Sequence, residues 1–306
     1  MMMPSACSIA SKKAKGDGTT VPNWLELPRE ITANILQRLP TVQIVTSACL
    51  VCPQWWNICK DPLMWRTIHM AGFDYFTCSF RELAKICQYA IERSCGHLID
   101  IQIEYFGSDD ILECIAQSAS NLRCMQLVEC FQISDKGFID AVRKLPKLEE
   151  VRISLCDLSS NSLEALGRSC PLLKVLQYAR PLYVSSIGKE DHLALAISET
   201  MSKLCYLDIQ RTSITNIGLL AILDGCPLLE YLDIDECFHL KNLSNNLRKR
   251  CIEQIKDLRL PNPNNYGEYD HIEIACKRAH RKSVTILTNL CSNSYGSLKM
   301  NRKYQN

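Results

Sequence analysis

A six-residue apolar pattern, L-x-x-L-x-L with apolar exchanges, recurs through the middle of the 306-residue chain. It begins at Leu98, Leu122, Leu148, Leu173, Leu204, Leu229 and Ile255. Successive starts lie 24 to 26 residues apart, except for one step of 31 residues. The second and third apolar positions alternate with another residue, as in a short strand with one buried face. A unit of this length cannot bury its apolar side alone, so the pattern predicts stacked coils in a solenoid.

Each coil continues with signals for a turn and a helix. Three residues after the last apolar strand position stand Cys130, Cys156 and Cys237, with Thr212 at the same place in another coil. Ser134 and Thr215 can then cap helices that carry an apolar stripe. The sequence therefore predicts an α/β fold, in which a parallel concave sheet of short strands is covered by outer helices.

The 18 cysteines need an explanation of their own. No apolar run approaches the ~20 residues of a membrane helix, and the N-terminus lacks the apolar region of a signal peptide. We therefore expect a reducing compartment, in which disulfides are not expected. A second set, Cys95, Cys170 and Cys226, stands three residues before the repeat starts at Leu98, Leu173 and Leu229. Because the cysteines follow the repeat, they are interpreted as small apolar core residues.

Residues 22–70 have a different, helical character. Ile31, Ile35, Leu36 and Leu39 recur at helical spacing between Pro28 and Pro40,. Thr41 is predicted to cap a second helix, Pro53 to restart the chain, and Asp61 to cap a further turn. Three or so short helices make a core too small to stand alone. We expect such a module to cover its apolar surface with a partner.

The two ends of the chain are predicted to be largely disordered. Residues 1–21 form a small, polar leader, and residues 263–306 form a basic tail,. The part of this tail from Lys277 onward has seven Lys or Arg and no Asp or Glu. The tails lack interleaved aromatic residues, so nucleic-acid binding is disfavoured.

The segment from Trp24-Leu25-Glu26-Leu27-Pro28 through Leu50-Val51-Cys52 to Leu63-Met64-Trp65-Arg66 resembles the F-box. The repeats resemble the cysteine-containing class of leucine-rich repeats. Together they resemble the plant F-box/leucine-rich-repeat proteins of the Skp-interacting group. The resemblance implies an F-box at 22–70 and leucine-rich repeats at 71–262. It also implies a Skp-adaptor contact by Leu27, Pro28, Ile31, Ile35, Leu36, Leu39, Val45, Leu50, Val51, Cys52, Trp55 and Trp65, some of which must serve the module's own core.

The function implied by this resemblance is substrate recognition in a ubiquitin ligase of the SCF (Skp-cullin-F-box) type. The adaptor would link the chain to cullin and RING subunits, and the repeats would bind an unknown target protein. The chain itself would be non-catalytic and located in the nucleus, the cytoplasm or both. An alternative is an interaction scaffold that does not promote ubiquitination.

The open face of the sheet is the predicted target site. Its non-consensus strand positions include Gln102, Gln126, Arg152, Gln177, Asp208, Asp233 and Arg259. The strings Tyr206-Leu207-Asp208 and Tyr231-Leu232-Asp233 are one coil apart, which predicts stacked tyrosines and stacked carboxylates on this face. Such a patch would either receive a basic or amide-rich target segment or be a solvated face. The residues named for target binding are Arg152, Gln177, Tyr183, Tyr206, Asp208, Tyr231, Asp233 and Asp235.

Catalytic and metal sites are not indicated. Cys49 and Cys52 form a C-x-x-C without a second pair or a histidine cluster, although a closed zinc site needs four ligands. The six histidines follow no motif, and no phosphate-binding glycine string is present,. The sequence predicts no metal, no cofactor and no membrane segment.

Overall fold

The computed structural model of the protein describes residues 26–71, 79–180, 191–240 and 243–261. The predicted leader, the predicted basic tail and Tyr183 lie outside the described residues. Within the described ranges the chain forms ten α-helices and one sheet of eight strands.

The N-terminal part is helical, as predicted. Its elements are α1 (Arg29–Leu36), α2 (Thr41–Thr46) and α3 (Pro53–Cys59), with single 3-10 turns at Ala48–Leu50 and Pro62–Trp65. Asp61 caps the second turn, because its side chain accepts a hydrogen bond from the backbone N–H of Leu63 at 3.0 Å. The prediction that Thr41 caps α2 is wrong, since Pro40 holds the cap position. The Thr41 hydroxyl instead accepts from the backbone N–H of His69 at 3.1 Å, which ties the helical module to the first strand.

The repeats form the predicted α/β solenoid. Its parallel strands follow chain order: β1 (Thr67–Met70), β2 (Asp100–Glu104), β3 (Cys124–Val128), β4 (Glu150–Ser154), β5 (Val175–Ala179), β6 (Tyr206–Asp208), β7 (Tyr231–Asp233) and β8 (Asp257–Arg259). The outer helices are α4 (Phe80–Arg93), α5 (Asp109–Ser118), α6 (Asp135–Val142), α7 (Ser160–Ser169), α8 (His192–Thr200), α9 (Asn216–Gly225) and α10 (Asn245–Gln254). Every second residue of β2 to β5 is buried, because one face of the sheet packs on the helices and the other is open,.

The first strand was missed by the repeat analysis. Ile68 of β1 aligns with Ile101 of β2. Trp65 therefore occupies, three residues before Ile68, the place of the first leucine of the pattern. It is 1% exposed, as a consensus leucine would be. The last turn of the helical module is thus also the start of the sheet, so the two parts share one continuous core.

In three coils, an aspartate at the start of the helix accepts hydrogen bonds from the N-cap residue of the next coil's helix. Asp109 accepts hydrogen bonds from the backbone N–H and the hydroxyl of Ser134, at 2.8 and 2.6 Å. Asp135 is joined in a similar way to Ser159, and Asp191 to Thr215. Gly137 leaves the room that this carboxylate needs, because a Cβ atom there would overlap Asp109. The stacking of the coils is therefore fixed by polar bonds as well as by the apolar core.

The cysteines mostly serve the core, as predicted. Cys130, Cys156, Cys170, Cys226 and Cys237 are all buried. The Cys130 thiol donates to carbonyl oxygens at 3.3 and 3.6 Å, one of them in the preceding coil. The prediction is wrong for Cys95, which is exposed in a left-handed turn where the chain leaves α4.

Candidate functional site

The helical module leaves large apolar side chains in solvent. Ile31 is 47% exposed, Leu50 is 75% exposed and Val51 is 61% exposed. Aliphatic groups exposed to this degree in so small a module are typical of a surface that is covered by another protein. We refer to Pro28, Ile31, Leu50 and Val51 as the exposed apolar set.

The residues predicted to contact an adaptor divide into three groups by burial. Pro28, Ile31, Leu50 and Val51 are exposed, whereas Leu27, Ile35, Leu39, Val45, Cys52 and Trp55 are half-buried. Leu36 and Trp65 are 0% and 1% exposed, so a partner cannot reach them and their prediction as contact residues is wrong. The Trp65 indole N–H donates to the carbonyl of Cys59 at 2.9 Å, and its ring meets Tyr89 edge-on at 6.2 Å. Trp65 therefore anchors the core of the module, where its N–H is satisfied.

A continuous row of side chains crosses the open face of the sheet. The strand registers align His69, Gln102, Gln126, Arg152, Gln177, Asp208, Asp233 and Arg259. This is the row predicted from the sequence, extended by one residue on β1. Because parallel strands lie about 4.8 Å apart, the row presents one side chain per coil to a partner.

Two tyrosines on this face form a stacked pair. The rings of Tyr206 and Tyr231 lie 4.1 Å apart between centroids and are inclined by only 5°. The Arg152 guanidinium lies 5.6 Å from the Tyr206 ring centroid, and the Arg259 guanidinium lies 5.8 Å from that of Tyr231. The predicted tyrosine neighbours are therefore in contact, and arginines flank the pair on both sides.

The predicted open acidic patch is not present. Asp208 and Asp233 are aligned on neighbouring strands, but they are only 5% and 1% exposed. Asp233 accepts from the side-chain amide of Gln210 at 2.9 Å and from the Asp235 backbone N–H at 3.0 Å. Both carboxylates are buried and accept hydrogen bonds from within the protein, so the prediction that they bind a basic target segment is wrong,.

The remaining predicted target residues are braced by their neighbours. Arg152 donates to Glu150 at 2.5 Å and to the side-chain oxygen of Gln177 at 3.0 Å. Asp235 is half-buried, and its carboxylate accepts from the Glu236 backbone N–H at 2.9 Å. Such bonds hold the open face rigid before any partner arrives.

The other end of the open face carries both acidic and basic side chains. A cavity of about 220 Å³ there is lined by Asp100, Cys124 and Glu150 and also by His69 and Arg152. Burial and the charges of Asp100 and Glu150 raise the pKa of the Cys124 thiol to about 11. The Cys124 thiol therefore stays protonated at neutral pH, unlike a nucleophilic thiolate.

Known proteins share this architecture at the level of sequence. The sequence model of the F-box-like family matches residues 24–71. The chain is 43% identical over 260 residues to F-box protein SKIP19 of Arabidopsis thaliana, covering 85% of this chain and 83% of that protein. The chain belongs to the plant F-box/leucine-rich-repeat protein family. It is also 45% identical to putative F-box/LRR-repeat protein 23 of Arabidopsis thaliana over 248 residues, covering 78% of this chain but only 54% of that relative.

Members of the F-box/leucine-rich-repeat family are typically non-catalytic substrate receptors. No group of three or more His, Cys, Asp or Glu side chains in the described ranges could hold a metal ion. No helix of the described residues is long and apolar enough to cross a membrane.

Two exposed residues of the F-box were missed at the level of sequence. Trp56 is 37% exposed, with the Lys60 ammonium 5.1 Å from its ring centroid, and Leu63 is 48% exposed. Helical spacing could have predicted the exposure of Trp56, because neighbouring residues on a helix point in different directions and Trp55 is the one that is half-buried,. Leu63 follows Asp61 and Pro62 in the 3-10 turn, where the repeat pattern gives no guide to its direction.

Proposed function

We propose that this protein is the substrate-recognition subunit of an SCF-type ubiquitin ligase. In this proposal the F-box binds a Skp-family adaptor, which links the chain to cullin and RING subunits. The open face of the repeat sheet receives the target protein, the chain contributes no catalytic group, and it works in the nucleus, the cytoplasm or both.

The observation that carries the proposal is the exposed apolar set on the F-box. Ile31, Leu50 and Val51 leave aliphatic surface uncovered next to the buried core of the module. Removing such surface from water stabilises a complex by about 25 cal/mol per Å² before the costs of association. Relatives that carry the name SKIP, for Skp-interacting protein, support an adaptor as the partner.

The test is capture of a purified Skp-family adaptor by the full chain. The adaptor should bind the wild type and should be lost when Ile31→Asp and Val51→Asp place charges on the exposed apolar set. Ile217→Asp is the matched control, because Ile217 is 72% exposed but lies on α9 of the repeats. Circular dichroism of each variant establishes that the repeats remain folded.

The readouts separate the receptor from the scaffold. Capture by the wild type and by Ile217→Asp, together with ubiquitin transfer to a bound protein in a reconstituted cullin complex, supports a receptor. Capture without any ubiquitin transfer to co-purifying proteins would leave the non-catalytic scaffold. Absence of capture by the wild type would overturn the receptor and would leave an interaction scaffold that acts through its repeats.

A further inference from the structure

A cavity of about 340 Å³ opens on the outer side of the solenoid, between helices α9 and α10. Its apolar lining residues are Ile217, Leu220 and Leu247, and its polar ones are Asn216, Ser244, Asn246 and Arg250. Among these described residues, Arg250 alone is charged. Ile217 is 72% exposed and Leu220 is 41% exposed, so apolar side chains of the cavity face solvent. We refer to this cavity as the outer groove.

The apolar residues of the outer groove depart from the pattern of the other coils. Ile217 and Leu220 are the second and fifth residues of α9. The corresponding residues of α5, α7 and α10 are polar, namely Asp110 and Glu113, Asn161 and Glu164, and Asn246 and Lys249. In α6 they are Lys136 and the half-buried Ile139. The repeat itself therefore does not require exposed apolar side chains here, which is typical of a surface covered by another protein.

The groove exists because the first turns of α9 and α10 are not drawn together. Earlier outer helices meet closely at glycines: a Cβ atom at Gly167 would overlap Thr200, and one at Gly218 would overlap Ala194. Helix α10 contains no glycine. Its last residue, Gln254, donates to the carbonyl of Leu223 near the end of α9 at 2.9 Å. The two helices are therefore joined at their C-terminal ends and leave room between their first turns.

An excess of positive charge borders the outer groove. Helix α10 carries one carboxylate, Glu253, and three cations, Arg248, Lys249 and Arg250. Arg250 is paired with Asp224 of α9 at 2.5 Å, but a guanidinium has five N–H donors and can bind a second carboxylate,. The first turns of both helices line the groove, and a helix N-terminus is electropositive,. These charges favour an acidic ligand and disfavour the chain's own basic residues from Lys277 onward,.

We propose that the outer groove binds an acidic amphipathic helix of a partner protein other than the Skp-family adaptor. Ile217 and Leu220 are three residues apart, so they form one ridge on α9 against which the apolar stripe of a third helix can pack. Helices α9 and α10 have ten residues each, so the groove is about 15 Å long and fits two to three helical turns,. Two exposed side chains offer far less than the roughly 800 Å² per partner of a stable interface between globular proteins, which disfavours a second copy of this chain.

The proposal does not depend on the proposed function. The outer groove lies on the helical side of the solenoid, whereas the open face lies on the other side of the sheet and the exposed apolar set belongs to the F-box. A helix in the groove would therefore leave the adaptor and target surfaces free. It would attach the chain to a third protein.

The test uses the full chain and fluorescein-labelled helical peptide libraries. The acidic library has leucine fixed at positions i, i+4 and i+7, with glutamate or alanine elsewhere, and the basic library has lysine in place of glutamate. Fluorescence anisotropy should show saturable binding of the acidic library, with the basic library at least about tenfold weaker. Ile217→Asp should weaken binding of the acidic library at least about tenfold, because a charge replaces an apolar anchor. Ile252→Asp is the matched control, since Ile252 is 62% exposed on α10 but does not line the groove, and it should leave binding unchanged.

Charge and pattern provide two further readouts. Arg250→Ala should reduce the difference between the acidic and basic libraries, because it removes the charged residue of the lining,. A scrambled acidic library of the same composition lacks the leucine stripe and should not bind. Circular dichroism of each variant establishes that the repeats remain folded.

Several outcomes would overturn the proposal. These are no binding of the acidic library by the wild type, equal binding of the acidic and scrambled libraries, or equal loss in Ile217→Asp and Ile252→Asp. Self-association of the wild type that Ile217→Asp abolishes would instead make a second copy the occupant. Cross-links from Lys249 to Lys277 or Lys282 that the peptides displace would make the chain's own C-terminal residues the occupant. Adaptor capture by the same Ile217→Asp sample tests the proposed function separately, because Ile217 lies outside the exposed apolar set.

Discussion

Asp208 and Asp233 lie directly opposite each other on strands β6 and β7, and both are buried although their row belongs to the open face. Two like charges in this arrangement oppose folding, and the protein offsets the cost with internal donors. For Asp208 the backbone N–H of Gln210 donates at 3.3 Å. Burial is nevertheless the dominant influence and, together with the charge of Asp233, it raises the pKa of Asp208.

We expect Asp208→Asn to stabilise the protein at pH 7. A carboxyl group whose pKa is raised in the fold contributes stability below its unfolded pKa, and that contribution is lost as the pH rises through the folded pKa. Asparagine removes the buried charge and can still accept from Gln210. The gain should be up to about 1 kcal/mol at pH 7 and should shrink as the pH falls through the raised pKa of Asp208, because the wild-type carboxyl then becomes protonated,.

Urea unfolding of both proteins between pH 4 and 7 measures this difference. Asp257→Asn serves as the control, because Asp257 is exposed at the start of β8. A variant Asp208→Asn that is less stable than the wild type at pH 7 would show that the ionised carboxylate makes a net favourable contribution.

The stacked tyrosines should be energetically coupled. Tyr206→Leu and Tyr231→Leu each keep apolar volume but remove one ring of the pair. Offset or parallel aromatic pairs contribute about 0.5–1.5 kcal/mol beyond the area that they bury. A double-mutant cycle on the free energy of unfolding should therefore give a coupling energy in this range. Purely additive effects would indicate that the two rings act independently.

Asp109 and Gly137 should also be energetically coupled, through a steric overlap that only one of the single variants creates,. Asp109→Ala removes two hydrogen bonds to Ser134 and should cost about 1–3 kcal/mol,. Gly137→Ala would normally favour a helix, but here the new methyl group overlaps the Asp109 carboxylate, so we expect a loss of about 1–3 kcal/mol,.

Thermal and urea unfolding of the double variant provide the decisive comparison. With the carboxylate gone, alanine at 137 has room, so the double variant should be more stable than the sum of the single effects implies. Asp110→Ala controls for the loss of negative charge at the start of α5, since Asp110 is exposed and lies in the same helical turn.

The solenoid could be predicted because its signal is repeated and each repeat buries the same positions. The first strand escaped because Trp65 and Met70 replace the expected leucines and 33 residues separate Trp65 from Leu98. The prediction of Trp65 as an adaptor contact came instead from the resemblance to the F-box. A search that allowed tryptophan and methionine in the pattern would have found β1.

The open face was predicted less well than the core. Strand alternation identifies which residues share a face, and it placed Tyr206 beside Tyr231 correctly. It cannot show how far a short side chain reaches into solvent. Asp208 and Asp233 are covered because Gln210, Arg259 and the Tyr231 hydroxyl lie around them. Gln210 lies beyond the end of β6, where strand alternation gives no prediction.

Thiol alkylation should distinguish the structural cysteines from the exposed one. Burial raises the pKa values of Cys170, Cys226 and Cys237 to about 12, whereas Cys95 is exposed. The thiolate is the reactive form, so iodoacetamide at pH 8 should modify Cys95 in the native protein and spare the other three. Cys124 should react more slowly than Cys95, because burial and the carboxylates of the open face raise its pKa to about 11. Peptide mass spectrometry after timed alkylation gives the rates, and full labelling in urea gives the reference. Native labelling of Cys170, Cys226 or Cys237 at the rate of Cys95 would mean that the coils open far more readily than their packing implies.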